Sequence, residues 1–280
     1  MKMKLKALSA AMALAAVAGP ANATIANSAT GNGELFLTVW DTNGTAEDYT
    51  DDRSYTRDLG VFMNDWASSA TTPVINATKE VGGYTETYFS DSLLTGFLSA
   101  PGTIATNIFW NVAAVDSFGR DRVLLTAKNA APLPNNINFR QWAQSGGDSF
   151  LAAVNALPGH AGGIAVNGSS IATPADGNAL ASGDIWGDDF GGWTPFNVAG
   201  NIGEKLNFYM MAENGTGNLT TVLSHQYANA ADPTYLATWQ LATDGTLAYQ
   251  VAAVPEAETW AMFGAGLLMV GAIARRRMAS

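Results

Sequence analysis

Apolar and polar residues alternate with a period of two in several short stretches of this chain, and that period predicts strands. In Glu34 to Trp40 the residues Leu35, Leu37 and Val39 fall on one face and Phe36, Thr38 and Trp40 on the other, with Asn43-Gly44 offering a turn. Tyr84 to Ser90 sets Tyr84, Glu86 and Tyr88 against Thr85, Thr87 and Phe89. Asn107 to Val115 and Arg122 to Lys128 flank a turn at 116–121 and predict a hairpin with Ile108, Trp110, Val112 and Ala114 on one face. Strands are also predicted at Leu206 to Ala212 and Leu219 to Tyr227. A last pair, Tyr235 to Ala242 and Thr246 to Ala252, turns at Thr243-Asp244-Gly245, with Trp239 and Leu241 facing Leu247 and Tyr249.

The period lengthens in two places. Leu59, Phe62, Met63 and Trp66 stand at i, i+3, i+4 and i+7 behind Asp58, a candidate N-cap, and predict an amphipathic helix. Phe139 to Leu157 reads as mostly helical, broken at Gly146-Gly147, with Phe150, Leu151, Val154 and Leu157 on its buried face. Between Pro158 and Gly203 the chain is rich in Gly, Ala, Ser and Asp and reads as a long irregular connection. Strands at this frequency predict a mainly β body, an antiparallel β-sandwich with a few helical insertions, rather than a βαβ fold.

The two ends follow neither period. Lys2, Lys4 and Lys6 precede an apolar stretch from Ala7 to Ala18, and Ala21-Asn22-Ala23 supplies small residues at a cleavage point. This is the anatomy of a secretory signal peptide over 1–23, with Ala21 and Ala23 as its cleavage residues and Thr24 as the first mature residue. At the other end Val254-Pro255-Glu256 leads into an apolar run from Trp260 to Ala274, then Arg275, Arg276 and Arg277. Proline breaks regular structure ahead of the run, and the arginines would hold its end on the cytoplasmic side of a bilayer.

This tail, 254–280, resembles the PEP-CTERM sorting signal of Gram-negative bacteria. Pro255 and Glu256 match the first two motif positions, Ala257 departs from the second proline, and Glu258-Thr259-Trp260-Ala261-Met262 is similar to a common continuation. The resemblance implies a transmembrane helix at about 260–274 that holds the protein transiently in the inner membrane. It further implies cutting near the motif by an exosortase, then release to the cell surface or extracellular matrix, where such proteins accompany exopolysaccharide in biofilm. A plain membrane anchor is the competing reading. Fifteen helical residues span roughly 22 Å, short of the ~30 Å hydrocarbon core, and a short span with Gly264, Gly266 and Gly271 suits a transient stop.

With both ends set aside, the body over 24–253 keeps 8 basic and 22 acidic residues, a net charge near −14. Phosphate backbones repel such a surface, so nucleic acid is excluded as a partner. The chain has no cysteine, which removes disulfides, thiol catalysis and Cys-type metal sites.

Candidate chemistry is sparse. His160 and His225 are the two histidines, there is no Gly-x-Ser-x-Gly elbow, and Ser224 next to His225 would point the other way in a strand. Asp41, Asn43, Glu47, Asp48, Asp51 and Asp52 crowd oxygen atoms into one loop, and Asp184, Asp188 and Asp189 into another. Calcium takes such ligands, and ordinary turn chemistry uses the same residues. Trp186, Phe190, Trp193 and Phe196 stand beside the second acidic group and form either a glycan-binding loop or a loop tacked onto the core by its rings. Asn-x-Ser/Thr sequons at Asn43, Asn76, Asn167, Asn214 and Asn218 read as turn signals. The expectation is therefore an exported, non-enzymatic adhesion or matrix protein with no catalytic or cofactor residue, whose processing partners are signal peptidase and exosortase. A carbohydrate-binding module or a secreted polysaccharide-acting hydrolase is the alternative.

Overall fold

The computed structural model describes residues 24–26, 31–45, 48–68, 72–116, 121–128, 147–160, 168–182, 198–214, 222–254, 262, 265–270 and 275. The body is mainly antiparallel β, with a few short helices. Its strands in chain order are β1 (Glu34–Asp41), β2 (Arg53–Phe62), β3 (Thr85–Tyr88), β4 (Ile108–Asp116), β5 (Arg122–Ala127), β6 (Ser169–Ala172), β7 (Gly200–Asn201), β8 (Lys205–Glu213), β9 (Val222–Gln226), β10 (Ala228–Asn229), β11 (Asp232–Leu241) and β12 (Leu247–Val251). Helix α1 is Ser92–Leu98 and α2 is Gly147–Asn155.

The strands follow one hydrogen-bonded path, β3-β12-β11-β8-β5-β4-β1-β2-β6, with β7, β9 and β10 as side branches on β4, β8 and β11. Where two stacked sheets were expected, a single sheet curls. Its two ends approach each other and α1 closes the gap. Arg57 at the β2 end donates to the carbonyl of Phe89 (2.6 Å), and Tyr55 donates to Asp91 (2.8 Å). Asp91 also bonds Ser169 of β6 and caps α1 by accepting the Leu94 amide. Phe97 of α1 lies against the Tyr55 ring, with the Arg53 guanidinium over its own face. Both edge strands are thereby blunted, which limits their pairing with the edges of other chains.

Curling gives the sheet two buried faces, as the alternation on β1 predicts. Leu35, Leu37 and Val39 join Trp66, Trp110, Phe208, Tyr227, Trp239 and Tyr249 inside the curl. Around Trp66 the rings of Phe208, Tyr227 and Tyr249 meet edge-on at 4.8 to 5.6 Å, the arrangement the ring quadrupole favours. Phe36 and Trp40 point to the outer face, covered by Phe150, Leu151 and Val154 of α2. The β4–β5 hairpin and the β11–β12 pair form with the predicted faces, Trp239 opposite Tyr249 and Leu241 opposite Leu247.

Two expectations are corrected. The stretch read as a helix from Asp58 is the second half of β2, followed by one 3-10 turn at Met63–Asp65. A period of two explains the same residues: Leu59, Val61 and Met63 face the inner core, while Phe62, which a helix would bury, is exposed. Asp58 is a strand residue and caps nothing. The stretch read as irregular from Pro158 contains β6, which pairs with β2, and a 3-10 segment at Pro174–Ala179. Of the predicted helix at Phe139 to Leu157, the part before 147 lies outside the described residues.

Candidate functional site

The first acidic loop is held by its own turns. Asp41 accepts the Asn43 amide and pairs with Arg53 at 3.0 Å. Asn43 and Thr45 donate to the two carboxylate oxygens of Asp51, at 2.7 and 3.1 Å. Asp48 accepts the amide and hydroxyl of Thr50, which holds its carboxyl below the usual range. Asp41 and Asp52 are buried and Asn43, Asp48 and Asp51 exposed. Among the described residues no three His, Cys, Asp or Glu side chains gather as a metal ion would need. Glu47, Asp184, Asp188, Asp189, Trp186, Phe190, Trp193 and Phe196 lie outside the described residues, as do Ala21, Ala23, Pro255, Glu256, Arg276 and Arg277.

His160 follows α2 and His225 lies on β9. His160 is buried. His225 on β9 pairs with Glu80 at 2.7 Å and rests edge-on to Tyr227. Ser224 and His225 face Met211 and Met210 across the ladder, hence opposite sides of the sheet.

Beside that histidine the fold assembles a polar group that sequence reading missed. Asn76 caps a 3-10 segment, Ala77–Glu80, that lies over one mouth of the curl. It sets the Lys79 ammonium 4.4 Å over the Trp66 ring and 5.0 Å from that of Tyr84. The ammonium donates to Glu86 (2.5 Å) and Tyr84 (2.8 Å), while Tyr88 donates to the other Glu86 oxygen. Burial alone would depress the lysine's pKa, but the bonds and charge of Glu86 and Tyr84 outweigh it and raise it. Burial would likewise raise Glu86, but Lys79 and Tyr88 hold it down. Both shifts favour the charged forms, so this is an ammonium locked between ring faces and a carboxylate. A raised pKa makes Lys79 a poor base or nucleophile. Alternation had put Tyr84, Glu86 and Tyr88 on one face; nothing in the spacing of Lys79 announces that it reaches them.

Two more charged pairs are buried. Arg122 and Asp116 close the β4–β5 hairpin at 2.6 Å, and the guanidinium also donates to the carbonyls of Ala67 and Gly31 and to Asn64. Glu34 and Asp58, both buried, bring two carboxyls near each other between β1 and β2. Burial first, then the Glu34 charge, pushes Asp58 up to about 7. Burial raises Glu34 as well, against the lowering effect of the Ala26 amide it accepts and of its bond to Asp58.

The chain matches no protein-family model, no curated protein and no solved structure. Function therefore rests on residues and geometry alone.

At the C-terminal end, β12 stops at Val251 and Val254 is half-buried. The expected span at 260–274 is described only at 262 and 265–270, where Met262, Leu267, Leu268, Met269 and Val270 are exposed. Among the described residues no helix is long and apolar enough to cross a membrane.

Proposed function

We propose that this chain is an exported surface or extracellular-matrix protein of a Gram-negative bacterium, sorted through its C-terminal signal and associated with exopolysaccharide. Its role there is non-enzymatic, in adhesion or matrix organisation. One observation carries the reading: the strands of the body fit between the two cleavage points that the sequence predicts. β1 starts at Glu34, after an ordered segment at Thr24 to Ala26, and β12 ends at Val251, ahead of Pro255. Cutting at Ala23 and near Pro255 would therefore spare every strand and both core clusters among the described residues. The exposed side chains of Met262, Leu267, Leu268, Met269 and Val270 also suit a segment whose partner is lipid rather than the body.

In this reading signal peptidase removes 1–23, the 260–274 helix pauses in the inner membrane, and exosortase cuts near Pro255 and Glu256. The finished body has a strongly acidic surface, which favours solubility in a hydrated matrix. The test replaces Pro255 and Glu256 together by Ala in the native host and follows surface display by immunoblot of intact cells. Retention of the full-length form in the inner membrane is expected. Unchanged display and unchanged size would remove the sorting claim.

A further inference from the structure

The Glu34–Asp58 pair does more than join two strands, because it also holds the first ordered segment of the body. The Glu34 carboxylate accepts the Ala26 amide at 3.0 Å, and the Glu34 amide donates to the Ala26 carbonyl at 3.1 Å. On the other side, Asn155 at the end of α2 accepts the Ile25 amide and donates to the Ile25 carbonyl, both at 2.9 Å. Ile25 itself is buried in the outer core cluster with the α2 side chains. Thr24 to Ala26 is thus a strap, anchored by one apolar side chain and clamped between a carboxamide and a carboxylate.

The carboxamide clamp has no charge to lose, whereas the carboxylate clamp is shared. Glu34 receives the strap's amide and stands beside Asp58, whose Oδ1 accepts the Gly60 amide at 2.7 Å. The charged groups acting on Asp58 among the described residues are Glu34 on β1 and Arg57 on β2. β6, on the far side of β2, consists of Ser169, Ser170, Ile171 and Ala172 and has no titratable side chain. Two adjacent buried carboxyls cannot both ionise cheaply. With one proton between them, Asp58 donates to Glu34 and the site carries one charge.

We propose that Glu34 and Asp58 form a proton-operated latch, which keeps the 24–26 strap shut while one proton lies between them and releases it when that proton is lost. Opening the strap lets water reach Glu34, turns the like-charge contact into a solvated one, and frees Ile25 from its pocket. The inference stands whether or not the chain is cut ahead of Thr24 and does not depend on the sorting reading.

The closed strap holds a proton that the open one gives up, so its opening constant must rise with pH until Asp58 has ionised. Hydrogen exchange read by mass spectrometry, on the full-length chain in neutral detergent micelles, would follow the peptide covering 24–33. After correction for intrinsic exchange, its opening constant should rise by about tenfold or more between pH 5 and pH 8. The peptide covering 232–251 serves as reference and should not follow. Asp58→Asn, whose carboxamide donates to Glu34 at every pH, should flatten the rise, as should Glu34→Gln. A wild-type change below about twofold would overturn the latch. So would an equal rise in the reference peptide, or a variant that folds yet keeps the wild-type slope. Should neither variant fold, carboxyl carbon NMR of the wild-type chain decides: a midpoint near 7 at Asp58 supports the latch, and an ordinary carboxyl midpoint overturns it.

Discussion

Asp116 and Arg122 close the β4–β5 hairpin with opposite charges, whereas Glu34 and Asp58 set two like charges together between β1 and β2, in the same run of strands. Both pairs are buried among apolar residues. The first surrounds its cation with acceptors from two separate stretches, at Gly31 and at Asn64 to Ala67, and so knits loops to the sheet. The second has two amides and the nearby Arg57 around it, and in the proposed latch it shares one proton. Burial by itself therefore does not say what a charge is for: the counter-charge decides whether a site is permanent or responsive.

Breaking the permanent pair should have the largest effect. Arg122→Ala takes away the counter-charge of buried Asp116 and the donor to two carbonyls, and should cost about 3–5 kcal/mol of stability. Replacing both members, Arg122→Met with Asp116→Leu, should recover most of that loss in urea unfolding, since no charge then stays behind. A loss below about 1 kcal/mol for the single variant would mean that the guanidinium is not what holds the two stretches.

The responsive pair should show itself in pH. Asp58 is raised to about 7, so the folded state binds the extra proton. Its stabilising contribution is complete below the ordinary carboxyl value near 4 and is lost as pH rises through about 7. Asp91 has the opposite sign. Burial works to raise it, but the Leu94 amide and the Tyr55 hydroxyl outweigh that and lower it, so its contribution is present above the ordinary value and lost as pH falls through the lowered one. Stability against pH should accordingly slope on both flanks. Asp58→Asn should remove the decline between pH 5 and 7, and Asp91→Asn should soften the acid flank. Equal slopes in wild type and Asp58→Asn would leave the like-charge pair without thermodynamic weight.

The smallest effect belongs to a third arrangement, more exposed than either of those two. Lys79 stacks on Trp66 and pairs with Glu86, whose side chain keeps 20% of its surface exposed. Lys79→Met keeps the apolar stem against the rings and drops the charge, and should cost about 1 kcal/mol. Thermal unfolding at low and high salt would check this; an undiminished cost at high salt would assign it to packing rather than to charge.

Strand after strand was legible because this sheet buries both faces of its central members. On β1, Leu35, Leu37 and Val39 reach one core and Phe36 and Trp40 the other, so a period of two with apolar residues on both sides marks it plainly. The β11–β12 pair was readable from Thr243-Asp244-Gly245, where Gly245 takes a φ of 82°. What sequence spacing does not contain is which strands become neighbours. The single curled sheet depends on Asp91 and Arg57 tying distant ends together, and Leu59 and Met63 satisfy a helical spacing and an extended one equally well. The candidate sites were less legible for the same reason. Lys79 and Glu86 belong to one group only because a 3-10 segment crosses the mouth of the curl. Asp58 read as a cap because its partner Glu34 stands on another strand.

The most direct test of the account is the mass of both terminal peptides in protein recovered from the surface and medium of the native host. An N-terminus at Thr24 with a C-terminus near Pro255 is predicted, leaving the folded body whole. A surface-exposed protein that still carries Arg275 to Ser280 would contradict the sorted-matrix reading and make the tail a retained anchor.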